Sequence, residues 1–159
     1  QSRVVKALSD EAVEGFLAGR GMSLALPAEL NHFPGPRHAL DLAESLQLTA
    51  EQRRALQAVY AGMNATVVPL GRSFVAVEAR LDSAFARGTL TVKGLAALLH
   101  QSATLSERLR LSHLSAHLEV RRLFTSHQIA EYDRLRGYQG SADEGHAEHR
   151  HGETRRPPR

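Results

Sequence analysis

Between residues 50 and 87 the apolar side chains Leu56, Val59, Tyr60, Met63, Val67, Leu70, Phe74, Val77, Leu81 and Phe85 recur every three or four positions. That spacing follows the helical repeat for about ten turns, so it predicts one long amphipathic helix. Pro69 falls inside the run. It has no amide hydrogen and crowds the preceding turn, but ending the helix there would throw the stripe out of phase, so a kink is expected instead. After the breaker Arg87-Gly88-Thr89, a second long helix is predicted over 91–123. Its apolar face carries Leu95, Leu98, Leu99, Leu105, Leu109, Ala116, Val120 and Leu123. Two long helices joined this closely fold back as an antiparallel hairpin.

Shorter elements flank the hairpin. Thr49-Ala50-Glu51-Gln52 and Thr125-Ser126-His127-Gln128 both fit the capping box, in which the Thr hydroxyl and the Gln side chain satisfy each other's orphan backbone donors. The second box opens a short helix over 126–136 carrying Ile129, Tyr132 and Leu135. Upstream, Pro36 is well placed to start a helix over 36–47, and an amphipathic segment over 7–17 is closed by Gly19 and Gly21. The chain thus divides into a lead-in (1–35), a helical domain (36–138) and a polar tail (139–159). The tail has no large aliphatic residue and is expected to be disordered. With 5% aromatics and an abundance of Ala, Leu, Glu, Arg and Gln, the composition agrees with an all-α fold.

Two helices of about 50 Å, at 1.5 Å per residue, are too thin to cover their own apolar surface. The second helix sharpens the problem. Leu111, Leu114 and Leu118 lie opposite Leu109, Ala116 and Val120, so it is apolar on two sides. The cover is either the short helices of the same chain or a second copy, for which Leu111, Leu114 and Leu118 are the candidate contact.

Several function classes find no support. There is no Cys, hence no disulfide framework, thiolate site or thiol nucleophile. No phosphate-cradling glycine loop, His-Glu-x-x-His motif or serine elbow is present, so no enzymatic activity is expected. A net charge of +3 is too small for a dedicated nucleic-acid binder. No stretch is apolar and long enough to insert in a membrane. The first residue is Gln1 rather than Met, which leaves room for a removed export signal.

Two chemistries remain. His113 and His117 stand one turn apart on one helix face, a spacing that brings two imidazoles to one metal ion. A third ligand would come from His100, Glu119, His127 or a partner chain. The tail carries its own candidates, His146, His149 and His151. No cofactor is required, with zinc, nickel or copper the ions such ligands would take. The other chemistry is basic. Residues 48–138 hold 12 Lys and Arg against seven acids. Arg53, Arg54, Arg72 and Arg80 on the first long helix, with Arg108, Arg110, Arg121 and Arg122 on the second, are candidates for holding flexible acidic or apolar peptides through stem and guanidinium together.

The two caps, extended to Leu48-Thr49-Ala50-Glu51-Gln52 and Phe124-Thr125-Ser126-His127-Gln128, resemble the motif of the LTxxQ family of small periplasmic proteins, the Spy and CpxP type, with their heavy-metal-resistance relatives. The resemblance covers about residues 36–138, and the stretch from Ala28-Glu29-Leu30-Asn31 to Pro34-Gly35-Pro36 also looks like that of bacterial members. The second motif has Phe124 where the pattern has Leu. The resemblance implies a cradle-shaped antiparallel homodimer in the periplasm, with ATP-independent chaperone activity toward unfolded proteins. Other relatives bind heavy metals and signal to a membrane-bound stress regulator. Thr49, Gln52, Thr125 and Gln128 carry over as structural caps. The metal-sensing relatives use a His-x3-Met pair where this chain has His113-x3-His117.

Overall fold

A computed structural model describes residues 5–138. The polar tail at 139–159, with its three histidines, lies outside the described residues. Among those described, all regular structure is helical: α1 (Asp10–Leu17), α2 (Leu26–Glu29), α3 (Pro36–Asp41), α4 (Ala50–Ala86), α5 (Val92–Leu123) and α6 (Ser126–Arg136). The α4–α5 pair is the expected antiparallel hairpin and makes the most extensive helix contact in the molecule. Helix α4 runs through Pro69 without ending, as the phase of its apolar stripe requires. No helix is long and apolar enough to cross a membrane among the described residues.

Both capping boxes form, and they also meet. The Thr49 and Thr125 hydroxyls accept from the Gln52 and Gln128 amides at 3.1 and 3.2 Å, and each glutamine oxygen accepts from its own Thr N–H at 3.0 and 2.9 Å. Gln52 Nε2 then donates to Gln128 Oε1 at 2.9 Å, while Gln128 Nε2 donates to Gln52 Oε1 at 3.1 Å. The remaining amide hydrogens reach the carbonyls of Leu123 and Leu46. Two helix starts that are far apart in sequence are therefore clasped by one amide pair, every hydrogen of which has a partner.

Beneath the clasp, Leu46, Leu48, Leu56, Val120, Phe124, Ile129 and Tyr132 form the larger core. A smaller cluster, Val67, Leu70 and Leu109, is capped by Phe16, Leu24, Met63 and Phe74. Helix α1 reaches this cluster because Gly71 has no side chain: a Cβ there would lie 2.1 Å from the Phe16 carbonyl oxygen. The Phe16 and Phe74 rings then meet at 4.8 Å between centroids.

Some boundaries and faces differ from expectation. Helix α1 starts at Asp10, not at residue 7, because the Ser9 hydroxyl caps it by accepting from the Ala12 amide. Regular helix in α3 stops at Asp41 rather than 47. Irregular turns carry the chain on until Gln47 adopts a left-handed φ of 50°, with Leu48 N–H bonding Ala43 O and Gln47 N–H bonding Glu44 O. That is the Schellman pattern, and it turns Leu46 and Leu48 into the core. Phe85 and Leu99, assigned to buried stripes, are 62% and 49% exposed. The lead-in covers only the other half of the hairpin, so the half near the α4–α5 turn has nothing to bury them.

Candidate functional site

His113 and His117 are both 4% exposed, although they project from the middle of a polar-looking stretch of α5. What covers them is the lead-in between Gly19 and His38. Left-handed residues at Gly19, Met22, Ser23 and His32 let this segment double back on itself, and α2 and α3 then rest against α5. The His117 Nδ1–H donates to the Phe33 carbonyl at 2.8 Å, which leaves its Nε2 with the lone pair. The Nδ1 edge of His113 faces Gly21, while its Nε2 is buried with no hydrogen-bond partner. Burial holds both imidazoles below the ordinary pKa of 6.5, and their proximity adds to the effect at His113. Both are neutral at pH 7 and keep ligating lone pairs.

The same lead-in buries Glu29. His38 Nδ1–H donates to its Oε1 at 3.1 Å and the Tyr132 hydroxyl at 3.5 Å, while Oε2 accepts from Arg136 at 3.4 Å and from the Tyr138 hydroxyl. Burial alone would raise the Glu29 pKa. The hydrogen bonds from Tyr138 and His38, with the charges of His38 and Arg136, override it and hold the carboxyl below its ordinary range. A second pair, His32 Nδ1–H to Asp133 Oδ2 at 2.7 Å, fastens the same loop to α6. Gly35 fits closely between Glu29 and His117: a Cβ there would stand 2.8 Å from Glu29 Oε1 and 3.0 Å from His117 Cε1, so one of those side chains would have to shift.

Between the lead-in and the hairpin lies a cavity of about 380 Å³, bordered by His38, His113, His117, Glu29, Met22 and Met63, with Arg20, Arg37, Arg136 and Tyr138 also on its wall. The structure thus brings His113 and His117 together as the spacing predicts. The expected third ligands do not join them: His100, Glu119 and His127 are exposed on the helix surfaces. Among the described residues no three His, Cys, Asp or Glu side chains are arranged to hold a metal ion. Sequence reasoning missed Glu29 and His38: Glu29 lies in the stretch from Ala28 to Pro36, and His38, just beyond it, carried no signal.

The arginines separate by environment. Arg53 is tied to the Leu48 and Ala43 carbonyls and closes the turn before α4. Arg121 lies 5.9 Å over the Phe33 ring and anchors the lead-in. Arg54, Arg72, Arg80, Arg108, Arg110 and Arg122 are exposed. Wound at 100° per residue, Arg108, Leu111, Leu118 and Arg122 fall within an arc of about 80° on α5. Leu111 and Leu118 are 62% and 50% exposed there, and Leu114 beside them is half-buried. On α4, Arg54 and Arg72 share one line about five turns apart.

No family model, curated protein or solved structure matches the chain.

Proposed function

We propose that this protein is an ATP-independent holding chaperone or stress adaptor in the periplasm that binds unfolded clients on the face of α5 left uncovered in the single chain. The observation that carries this reading is the joint exposure of Leu111 and Leu118 between Arg108 and Arg122. Leucines offer non-directional contact to any apolar segment, and guanidinium groups capture carboxylates and carbonyls at modest strength. Modest strength suits a holder, since a client bound too tightly could not leave to fold. The resemblance to the LTxxQ family supports the same reading, and the four motif residues Thr49, Gln52, Thr125 and Gln128 form the clasp that sets the hairpin ends. The test is light scattering of a denatured, aggregation-prone client at equimolar protein without nucleotide. Suppression that weakens with added salt is the expected result. Absence of suppression at low salt overturns the reading.

One observation favours a second reading, a heavy-metal-binding sensor or resistance protein. His113 and His117 share a cavity, are kept neutral, and one of them has its tautomer fixed by the Phe33 carbonyl, as metal-ligating histidines do. Zinc, nickel or copper suits imidazole donors.

A further inference from the structure

We propose that Met22 and Met63 join His113 and His117 in a copper(I) site made of two thioethers and two imidazoles. The proposal rests on the metal-binding reading and names the ion and the ligands that this reading lacks.

These two methionines hold the only sulfur in the chain, which has no Cys, and both stand on the wall of the cavity that the two histidines border. Separate elements bring them there. The α4–α5 register is set by Gln52 bonded to the Leu123 carbonyl at one end and Ser102 bonded to Glu78 towards the other. It brings Met63 level with the turn of α5 that runs from His113 to His117, and Met63 also borders a groove with Ser112 and Ala116 of that turn. Met22 comes from the lead-in. Gly21 just before it lies along the Nδ1 edge of the His113 ring, and Met22 itself has a left-handed φ of 45°. Such a φ is an outlier for a long side chain, and residues held in this way cluster at ligand clamps. Gly15 of α1 leaves a notch for the thioether, since a Cβ on that glycine would collide with Met22 Sδ. Three rotatable side-chain bonds then let each methionine turn its sulfur toward an ion.

The nitrogen donors are ready. The His117 Nδ1–H is spent on the Phe33 carbonyl, and its Nε2 has no hydrogen-bond partner among the described residues. The buried His113 Nε2 has none either, so no bond fixes the tautomer of that ring, and one nitrogen can carry the proton while the other ligates.

Charge and donor type select the ion. The Glu29 oxygens are held by His38, Arg136 and Tyr138, and among the described residues no three His, Cys, Asp or Glu side chains are grouped for a metal. Zinc, which takes about four nitrogen, thiolate or carboxylate ligands, would find two of them here. Copper(I) is soft and accepts thioether beside imidazole. Its single charge matters too. Arg20, Arg37 and Arg136 outnumber Glu11 and Glu29 on the wall, and a dication meets twice the repulsion of a monocation.

The test uses the full chain with its two methionine methyl groups labelled with carbon-13, titrated with silver(I), a redox-inert stand-in for copper(I). Both methyl signals should shift and saturate at one ion per chain, while zinc leaves them in place. Copper(I) affinity is then measured under reducing, oxygen-free conditions by competition with a chromogenic chelator. Met22→Leu/Met63→Leu removes both sulfurs at nearly constant volume, so the fold should survive. Copper(I) should bind that variant at least about tenfold more weakly, because losing ligands should cost no less than losing their outer partners does. Zinc affinity should stay the same, and His113→Ala/His117→Ala should weaken both ions. Methyl signals unmoved by silver(I), or unchanged copper(I) affinity in the leucine variant, overturns the proposal; if His113→Ala/His117→Ala still weakens an ion, the metal-binding reading stands without it. Absence of binding of zinc, copper(I) and silver(I) alike removes both.

Discussion

Glu29 is the residue on which the lead-in, α3 and α6 converge, and its substitution should show how much the closed cavity depends on one carboxylate. Glu29→Gln keeps the shape but leaves the Arg136 charge half-buried without its counter-ion. A loss of about 1–3 kcal/mol in urea unfolding is expected, the usual cost of stranding such a group. The pH dependence follows from the signs. Glu29 titrates below its ordinary value when folded, so its contribution is present above about pH 4.5 and fades as the pH falls through the folded value. His113 and His117 also titrate low when folded, so the unfolded chain gains protons first once the pH drops below about 6.5, and stability falls with it. The two effects act in the same direction. The urea midpoint of the metal-free protein should decline from pH 7 to 5 and again below 4.5, and a midpoint that rises on acidification would contradict the burial of these groups.

At the scale of elements, the capping boxes were legible from four residue types at fixed spacing, because a cap is a local contract between a hydroxyl, an amide and three intervening residues. Their pairing was not legible. Nothing local places Gln52 beside Gln128; that depends on the hairpin returning α5 to the start of α4. Coupling should therefore appear in a double-mutant cycle: Gln52→Ala and Gln128→Ala together should cost about 0.5–3 kcal/mol less than the sum of the single losses, since each change already breaks the same amide pair. Simple additivity would mean that the caps act separately. The glycine in the middle of α4 tells the same story. Gly71 carries no signal in the sequence pattern, yet it is the point at which α1 approaches the α4 backbone. Gly71→Ala forces a Cβ against the Phe16 carbonyl. It should detach α1, seen as faster amide exchange across residues 10–17, while Gly62→Ala, with open space around it, should be neutral or mildly stabilising.

For the whole molecule, the all-α hairpin was readable because its period holds over so many turns. The candidate site was readable only in part. Spacing put His113 and His117 on one face, but their burial comes from a lead-in whose left-handed turns at Met22, Ser23 and His32 leave no periodic signal. The same asymmetry explains the exposed leucines: the lead-in shields one side of the hairpin and leaves the other bare. A second copy seated on that side would compete with clients for the same leucines, and Leu114→Asp should then yield a monomer in light scattering, because a charge placed in an apolar interface is costly. A wild-type monomer at micromolar concentration would remove the dimer. The most direct test of client holding is the denatured-client scattering assay repeated with Leu111→Ser/Leu118→Ser, two exposed changes that leave both cores untouched. Suppression falling at least severalfold, with an unchanged circular dichroism spectrum, is the predicted result. Full suppression by that variant would contradict the assignment of the client surface to this face of α5.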